Sequence, residues 1–186
     1  MVHFKTQSEQ LSELLHCKWS LPVLSAMSGR GNQAKFVTIQ KELSIARNSL
    51  KRSLEYLIQL GLVKPNEGYG HPLRPEYLLT SRGRKIAPAC GHLLRKSENL
   101  GVTEVSLKKW SLPVLLALTS ETRFNHLQSE ITHVTPRALA NTLQELVQFK
   151  LSKRSIVDRL PPFTEYSLTK SGRHLATLAA KLTVKS

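Results

Sequence analysis

Apolar residues recur along this chain at helical spacing, in blocks parted by polar and glycine-rich stretches, and the whole series of blocks comes twice. Leu11, Leu14 and Leu15 share one stripe of a helix predicted over 9–19. Pro22, tolerated in a first turn, opens a short apolar helix over 23–27. The polar stretch 28–33 reads as a loop. Phe36, Ile39 and Leu43 predict a third helix over 36–43; Leu50, Leu54, Leu57 and Ile58 predict a longer one over 47–60. Gly61 stands where a helix end favours a left-handed residue. Extended segments at 62–64 and 77–80, around a turn-rich stretch at 65–75, predict a β-hairpin. A last helix, capped by Thr80 or Ser81, runs to Leu93 and Leu94.

The order then returns. Helices are predicted over 114–118, 124–131 and 136–149, the last with Leu139, Leu143, Leu146 and Val147 inward; a hairpin follows within 151–169 and a closing helix over 170–182. Lys18-Trp19-Ser20-Leu21-Pro22-Val23-Leu24 reappears as Lys109-Trp110-Ser111-Leu112-Pro113-Val114-Leu115. Glu76-Tyr77-Leu78-Leu79-Thr80 with Gly83-Arg84 reappears as Glu165-Tyr166-Ser167-Leu168-Thr169 with Gly172-Arg173. From Leu50 to Ala87 the copies align without a gap at an offset of 89. A repeat of that length has the size of a small domain. The chain is therefore expected to hold two, 1–98 and 99–186, with a polar break at 97–104 that includes Gly101. Three helices and a hairpin per unit give the expected fold class: mainly α with small β-hairpins (α+β), as two tandem winged helix-turn-helix domains.

Charge adds a partner. Lys and Arg number 27 against 13 Asp and Glu, a net charge of +14. Residues 1–92 carry 13 basic and 6 acidic side chains and residues 93–186 carry 14 and 7, so the basicity belongs to the repeat and not to a tail. Such a balance favours a polyanion, and double-stranded DNA first. Cys17 and Cys90 make no disulfide framework, and each is expected to be a buried structural thiol. The opening Met1-Val2-His3-Phe4-Lys5 lacks the apolar run of a signal peptide, and no stretch approaches a membrane span. The expectation is a cytoplasmic, nucleoid-associated protein. Neither a nucleophile elbow nor a dinucleotide fingerprint is present, and Gly68-Tyr69-Gly70 lacks the Lys-Ser/Thr of a phosphate loop. The histidines lack metal-ligand spacing. No enzyme, metal or cofactor is expected; a small-molecule or redox effector is left open, and with it redox sensing by Cys17 or Cys90.

In a helix-turn-helix unit the second helix shows its N-terminal residues to base edges. At about 100° per residue from Leu54, Asn48 falls about 120° away and Arg52 about 160°, with Ser49 also outward. The same arithmetic around Leu143 turns Arg137, Ala138 and Asn141 outward. Arg pairs with guanine and Asn with adenine through two hydrogen bonds, so these positions are candidates for reading sequence; Lys51, at the edge of the face, suits a phosphate. Thr135 caps the second copy's long helix and Pro136 fits its first turn, whereas Ala46 and Arg47 stand at the aligned places in the first copy. Ser44 offers an alternative cap there that would shift the helix start. Lys64, His71 and Arg74 flank the first hairpin, and Lys153, Arg154 and Arg159 the second, as candidates for the backbone or minor groove.

These motifs resemble the HxlR-type winged-helix transcriptional regulators of bacteria and archaea. In the second copy the resemblance rests on residues 109–118, on Arg123-Phe124-Asn125 with Leu127, on Thr135, Arg137 and Leu139 with Leu143, Glu145 and Leu146, and on Pro161-Pro162 through Glu165-Tyr166-Ser167-Leu168-Thr169 to Gly172-Arg173. The first copy keeps Trp19, Tyr77, Thr80, Gly83 and Arg84 but has a longer loop at 28–35. Members of the family usually work as homodimers joined through first and last helices. The resemblance thus implies an intramolecular pseudo-dimer with two recognition helices about 34–36 Å apart on DNA, and leaves open a further homodimer of fused chains. The implied function is a sequence-specific DNA-binding transcriptional regulator with an asymmetric or pseudo-palindromic operator. The alternatives are a protein-interaction scaffold that keeps the fold without DNA, and a non-specific architectural binder of nucleic acid.

Overall fold

The computed structural model describes residues 6–67, 75–118 and 122–183. In chain order the elements are α1 (Gln7–Leu14), α2 (Ser20–Ser28), β1 (Gln33–Lys35), α3 (Phe36–Leu43), α4 (Arg47–Gln59), β2 (Val63–Pro65), β3 (Glu76–Leu79) and α5 (Ser81–Asn99). There follow α6 (Thr103–Ser106), α7 (Ser111–Ala117), β4 (Thr122–Arg123), α8 (Phe124–Glu130), α9 (Pro136–Gln148), β5 (Ser152–Val157), β6 (Phe163–Leu168) and α10 (Lys170–Ala180). They form two compact units: Cys17–Leu94, and Met1–His16 together with Arg95–Ser186. Each is a winged helix-turn-helix, mainly helical with one small antiparallel sheet.

In the unit Cys17–Leu94 the apolar face of α2 packs on α3 and α4, and Leu21, Leu24, Met27, Ile39, Leu50, Leu54 and Leu57 are buried. The sheet has the order β1-β3-β2. In the other unit α7 takes the place of α2 and packs on α8, α9 and α10, with Leu112, Leu115, Leu127, Leu139, Leu143 and Leu146 buried. Its sheet has the order β4-β6-β5. The N-terminal helix α1 belongs to this second unit, packing on α7. Gln7 Nε2 donates to Thr183 Oγ1 at 3.0 Å, which ties α1 to the residues after α10.

Three local departures from the sequence reading have physical causes. The first helix stops at Leu14 instead of reaching Trp19. Had it run on into α2, the ring of Pro22 would have met the carbonyl of Lys18, so the chain turns and restarts at Ser20. Its start moves back to Gln7, because Thr6 and Glu9 form a reciprocal capping box. Finally, β1 and β4 lie just before α3 and α8, where the sequence reading places no strand: strands of three and two residues are too short to carry an alternation of their own. They are held as third strands by pairing with β3 and β6. Gly101 has φ +67°, and the chain breaks there between α5 and α6. Among the described residues no helix is long and apolar enough to cross a membrane.

Candidate nucleic-acid interface

The site begins with the turn between the two helices of each helix-turn-helix. Ser44 (φ +48°) follows α3, and His133 (φ +66°) stands between α8 and α9. Each is in the left-handed region, and each precedes a buried aliphatic residue, Ile45 or Val134. Ser44 therefore ends α3 and does not cap α4, contrary to the alternative that the sequence offered. The N-cap of α4 is Ala46, which has no side-chain bond to give. Thr135 caps α9 by accepting the Ala138 N–H at 3.2 Å. Both helices nonetheless start in the same register: Leu50 N donates to Ala46 O at 3.0 Å and Leu139 N to Thr135 O at 2.9 Å. The missing cap lowers helix stability without moving the helix.

The shared register fixes what faces outward. On α4, Asn48, Lys51 and Arg52 are exposed, and Ser49, expected outward, is half-buried. On α9, Arg137 and Asn141 are exposed, and Ala138 is half-buried. Ser49 and Ala138 share a further feature: their carbonyls accept the hydroxyls of Ser53 (2.7 Å) and Thr142 (2.8 Å), one turn on. Lys51 pairs with Glu55 at 3.8 Å. Both side chains are well solvated, so the pair contributes little and a phosphate can compete for the lysine. Arg47 at the start of α4 lies over the Phe36 ring, 5.8 Å from its centroid.

The wings differ. Lys64 is exposed on β2 opposite Leu78. Gly68, Tyr69, Gly70, His71 and Arg74 lie outside the described residues. In the second wing Lys153, Arg154 and Arg159 are all exposed. Alternation puts Lys153 (opposite Ser167) and Arg154 (opposite Tyr166) on opposite faces of the ribbon. Arg123 is legible in the sequence only as part of a motif. On β4 its guanidinium stacks 3.4 Å from the Phe163 ring centroid, bracing the wing and adding a cation to it. The sequence signal was there in Arg123-Phe124-Asn125, but only the strand β4 brings it beside Phe163.

One hydroxyl joins helix, wing and closing helix in each copy. Thr80 Oγ1 donates to Gly61 O at 2.7 Å and accepts from Gly83 N at 3.1 Å. Thr169 Oγ1 donates to Lys150 O at 2.7 Å and accepts from Gly172 N at 3.1 Å. A Cβ on Gly83 would stand 2.1 Å from Leu62 O, and one on Gly172 1.9 Å from Leu151 O. The doubled Thr-x-x-Gly is thus a packing requirement where the long helix, the wing and the closing helix meet.

Neither cysteine is placed on these outward faces. Cys90 is fully buried, and burial pushes its thiol pKa up to about 12. Cys17 is only half-buried, with its Sγ 3.1 Å from Ser53 Oγ, which departs from the buried thiol expected of it. A cavity of about 360 Å3 opens between α7, β6 and α10, apolar except for Arg173 and Thr177. Among the described residues no group of three or more His, Cys, Asp or Glu is placed to hold a metal ion.

Comparison with known proteins agrees with this geometry. The family model described as HxlR-like helix-turn-helix matches the chain twice, over residues 14–102 and 105–184. The chain is similar to an uncharacterized HTH-type transcriptional regulator of Methanothermobacter thermautotrophicus, 32% identical over 77 residues that make up 41% of this chain and 59% of the relative. It is similar to YvaP of Bacillus subtilis, 29% identical over 42% of this chain and 74% of the relative, and to YtfH of Escherichia coli, 36% identical over 40% and 60%. The last two are also described as uncharacterized HTH-type transcriptional regulators. The match spans less than two thirds of the first and third of these relatives. The chain belongs to the HxlR-like helix-turn-helix family, as a tandem of two copies.

Proposed function

We propose that this protein is a sequence-specific, double-stranded DNA-binding transcriptional regulator whose two halves act on one operator as an intramolecular pseudo-dimer. The observation that carries the reading is the matched presentation of α4 and α9. Buried stripes at Leu50, Leu54, Leu57 and at Leu139, Leu143, Leu146 hold the two helices in one register. That register turns Asn48, Arg52, Arg137 and Asn141 into solvent on a chain of net charge +14. Arg and Asn in such positions can form paired hydrogen bonds with purine edges in the major groove. Lys51, Lys64, Arg74, Lys153, Arg154 and Arg159 supply phosphate or minor-groove contacts. The similar proteins, described as HTH-type transcriptional regulators, support the same reading.

Selection of sites from a random duplex library, followed by titration at several salt concentrations, tests it. With six or more phosphates neutralised, affinity should fall roughly 10³-fold or more between 50 and 200 mM salt. A flat salt response would sink the reading and favour the protein-interaction scaffold. A steep response without a preferred site would leave a non-specific architectural binder. Asymmetry of the selected site, with light scattering on the complex, separates one fused chain per site from a pair of chains.

A further inference from the structure

We propose that the tip of the second wing is an apolar wedge, with Leu160 entering the minor groove of bound DNA and unstacking a base step there. This rests on the DNA-binding reading above and adds to it a deformation of the duplex.

Leu160 is 101% exposed and Ile156 71% exposed, the highest values among the described large hydrophobic residues. A leucine that buries no surface contributes nothing to folding, so Leu160 and Ile156 on one projecting hairpin are free to meet a partner. The hairpin reaches out to present it. Among the described residues β4 pairs with β6 at Thr122↔Tyr166 and Arg123↔Glu165. Beyond those pairs, β5 and β6 continue as a two-stranded ribbon through Ile156↔Thr164 and Val157↔Phe163 to the turn at 158–162.

The charges around the tip decide which partner fits. Lys153 and Arg154 stand on opposite faces of the ribbon, and Arg123 adds a cation over Phe163, on the face it shares with Lys153. Arg159 adjoins Leu160, and Asp158 is the only acid of the turn 158–162. A ribbon lying along a single phosphate strand needs cations on one face alone. Cations on both faces near the base, only partly offset by Glu165 opposite Arg123, with Arg159 and an apolar tip beyond them, suit insertion between two phosphate walls, which is what a minor groove offers. Stiffness is also provided. Arg123 stacks on Phe163 at 3.4 Å, and Thr169 ties the base of the wing to the end of α9. Pro161 and Pro162 restrict the backbone beside Leu160.

An apolar side chain in the minor groove kinks DNA by partly unstacking a step, typically by about 20–90°. Pyrimidine–purine steps unstack most easily, so the wing would select sequence by deformability at a position that it does not read through hydrogen bonds.

The full chain is bound to a duplex carrying its selected site, with donor and acceptor dyes at the ends and 2-aminopurine at successive steps flanking the α9 half-site. The wild type should shorten the end-to-end distance and brighten 2-aminopurine at one step. Leu160→Ala should keep its far-UV circular dichroism and melting temperature, since the side chain touches nothing. It should lose most of the bend and the brightening, and bind about ten-fold more weakly. Leu160→Phe should restore both. The wedge is overturned if the wild type binds without bending or brightening, or if Leu160→Ala does both as well as the wild type; the latter would assign the tip to a protein partner. If the wild type binds no duplex at all, the DNA-binding reading itself fails, an outcome plainly different from binding without deformation.

Discussion

The two helix-turn-helix units keep the same interior and turn different chemistry outward. In the first, α4 lacks a side-chain cap and exposes Arg47, Lys51 and Arg52 beside Asn48, and its wing strands β2 and β3 have three and four residues. In the second, α9 is capped by Thr135 and exposes a single cation, Arg137, with Ala140, Asn141 and Gln144. Its wing strands each have six residues, and cations stand on both faces of the ribbon. Among the described residues the first unit thus presents three exposed cations on its long helix, whereas α9 presents one and leaves a more neutral, hydrogen-bonding helix face. Two identical chains cannot divide the work in this way; two fused copies can, because each outward position mutates independently of its counterpart.

The largest effects should test what the units share. Gly83→Ala and Gly172→Ala would each drive a Cβ into a backbone carbonyl. Each should destabilise its unit by about 3 kcal/mol in urea unfolding. If only one of them is damaging, the two junctions are not equivalent. The outward faces should then separate the units. Arg137→Ala and Asn141→Ala should each cost about 1–3 kcal/mol on the selected site and relax the choice of base. Lys51→Ala with Arg52→Ala should instead lower the slope of log K against log salt, by about one for each phosphate left without its cation. Equal changes in selectivity from both pairs would erase the proposed division.

A pH dependence in the alkaline range should come from Cys90, which the second copy lacks. Cys90 aligns with Ala179, and both are fully buried. With the folded pKa raised from 9.0 to about 12, the unfolded state loses its thiol proton first. Stability is then fully present below pH 9 and falls as pH rises from there towards 12, by about 1.4 kcal/mol per unit. Cys90→Ala should remove that slope from denaturation curves measured between pH 8 and 9.5, below the range where Tyr77, also raised by burial, begins to contribute, and an unchanged slope would contradict the burial of the thiol.

Caps should have smaller consequences. Thr135→Ala should cost about 1 kcal/mol, and Ala46→Thr should stabilise the first unit by a similar or smaller amount. Thermal unfolding checks both, and no gain from Ala46→Thr would mean that the start of α4 cannot seat a hydroxyl. The smallest effect is expected after the long helices, where Gly61 (φ +67°) aligns with Lys150 (φ +55°). Lys150→Gly should gain roughly 0.5–1 kcal/mol by relieving a left-handed lysine, and Gly61→Lys should lose about as much.

Much of this was legible in the sequence. Stripes such as Leu50, Leu54, Leu57 report a helix and its buried face because both follow from a repeat of about 3.6 residues within a short window. The doubled Thr-x-x-Gly likewise marked the junction of wing and closing helix in both copies. The candidate site was legible as far as Asn48, Arg52, Arg137 and Asn141, whose exposure follows from the same arithmetic. The strands β1 and β4, and the placing of Arg123 over Phe163, were not legible, because pairs between distant segments leave no local period.

By itself, then, the sequence determined two helix-turn-helix units, the inward residues of their helices and the polar identity of their outward faces. Tertiary structure alone decided four things. It made Ser44 the end of α3 and kept α4 in the register of α9 without a cap. It placed Lys153 and Arg154 on opposite faces of one ribbon. It left Leu160 in solvent at the ribbon's tip. And it placed α1 against α7, in the unit that holds the second copy. The last case states the general reason: Leu11 and Leu14 specify that a helix face must be buried, but an apolar stripe carries no record of which surface buries it.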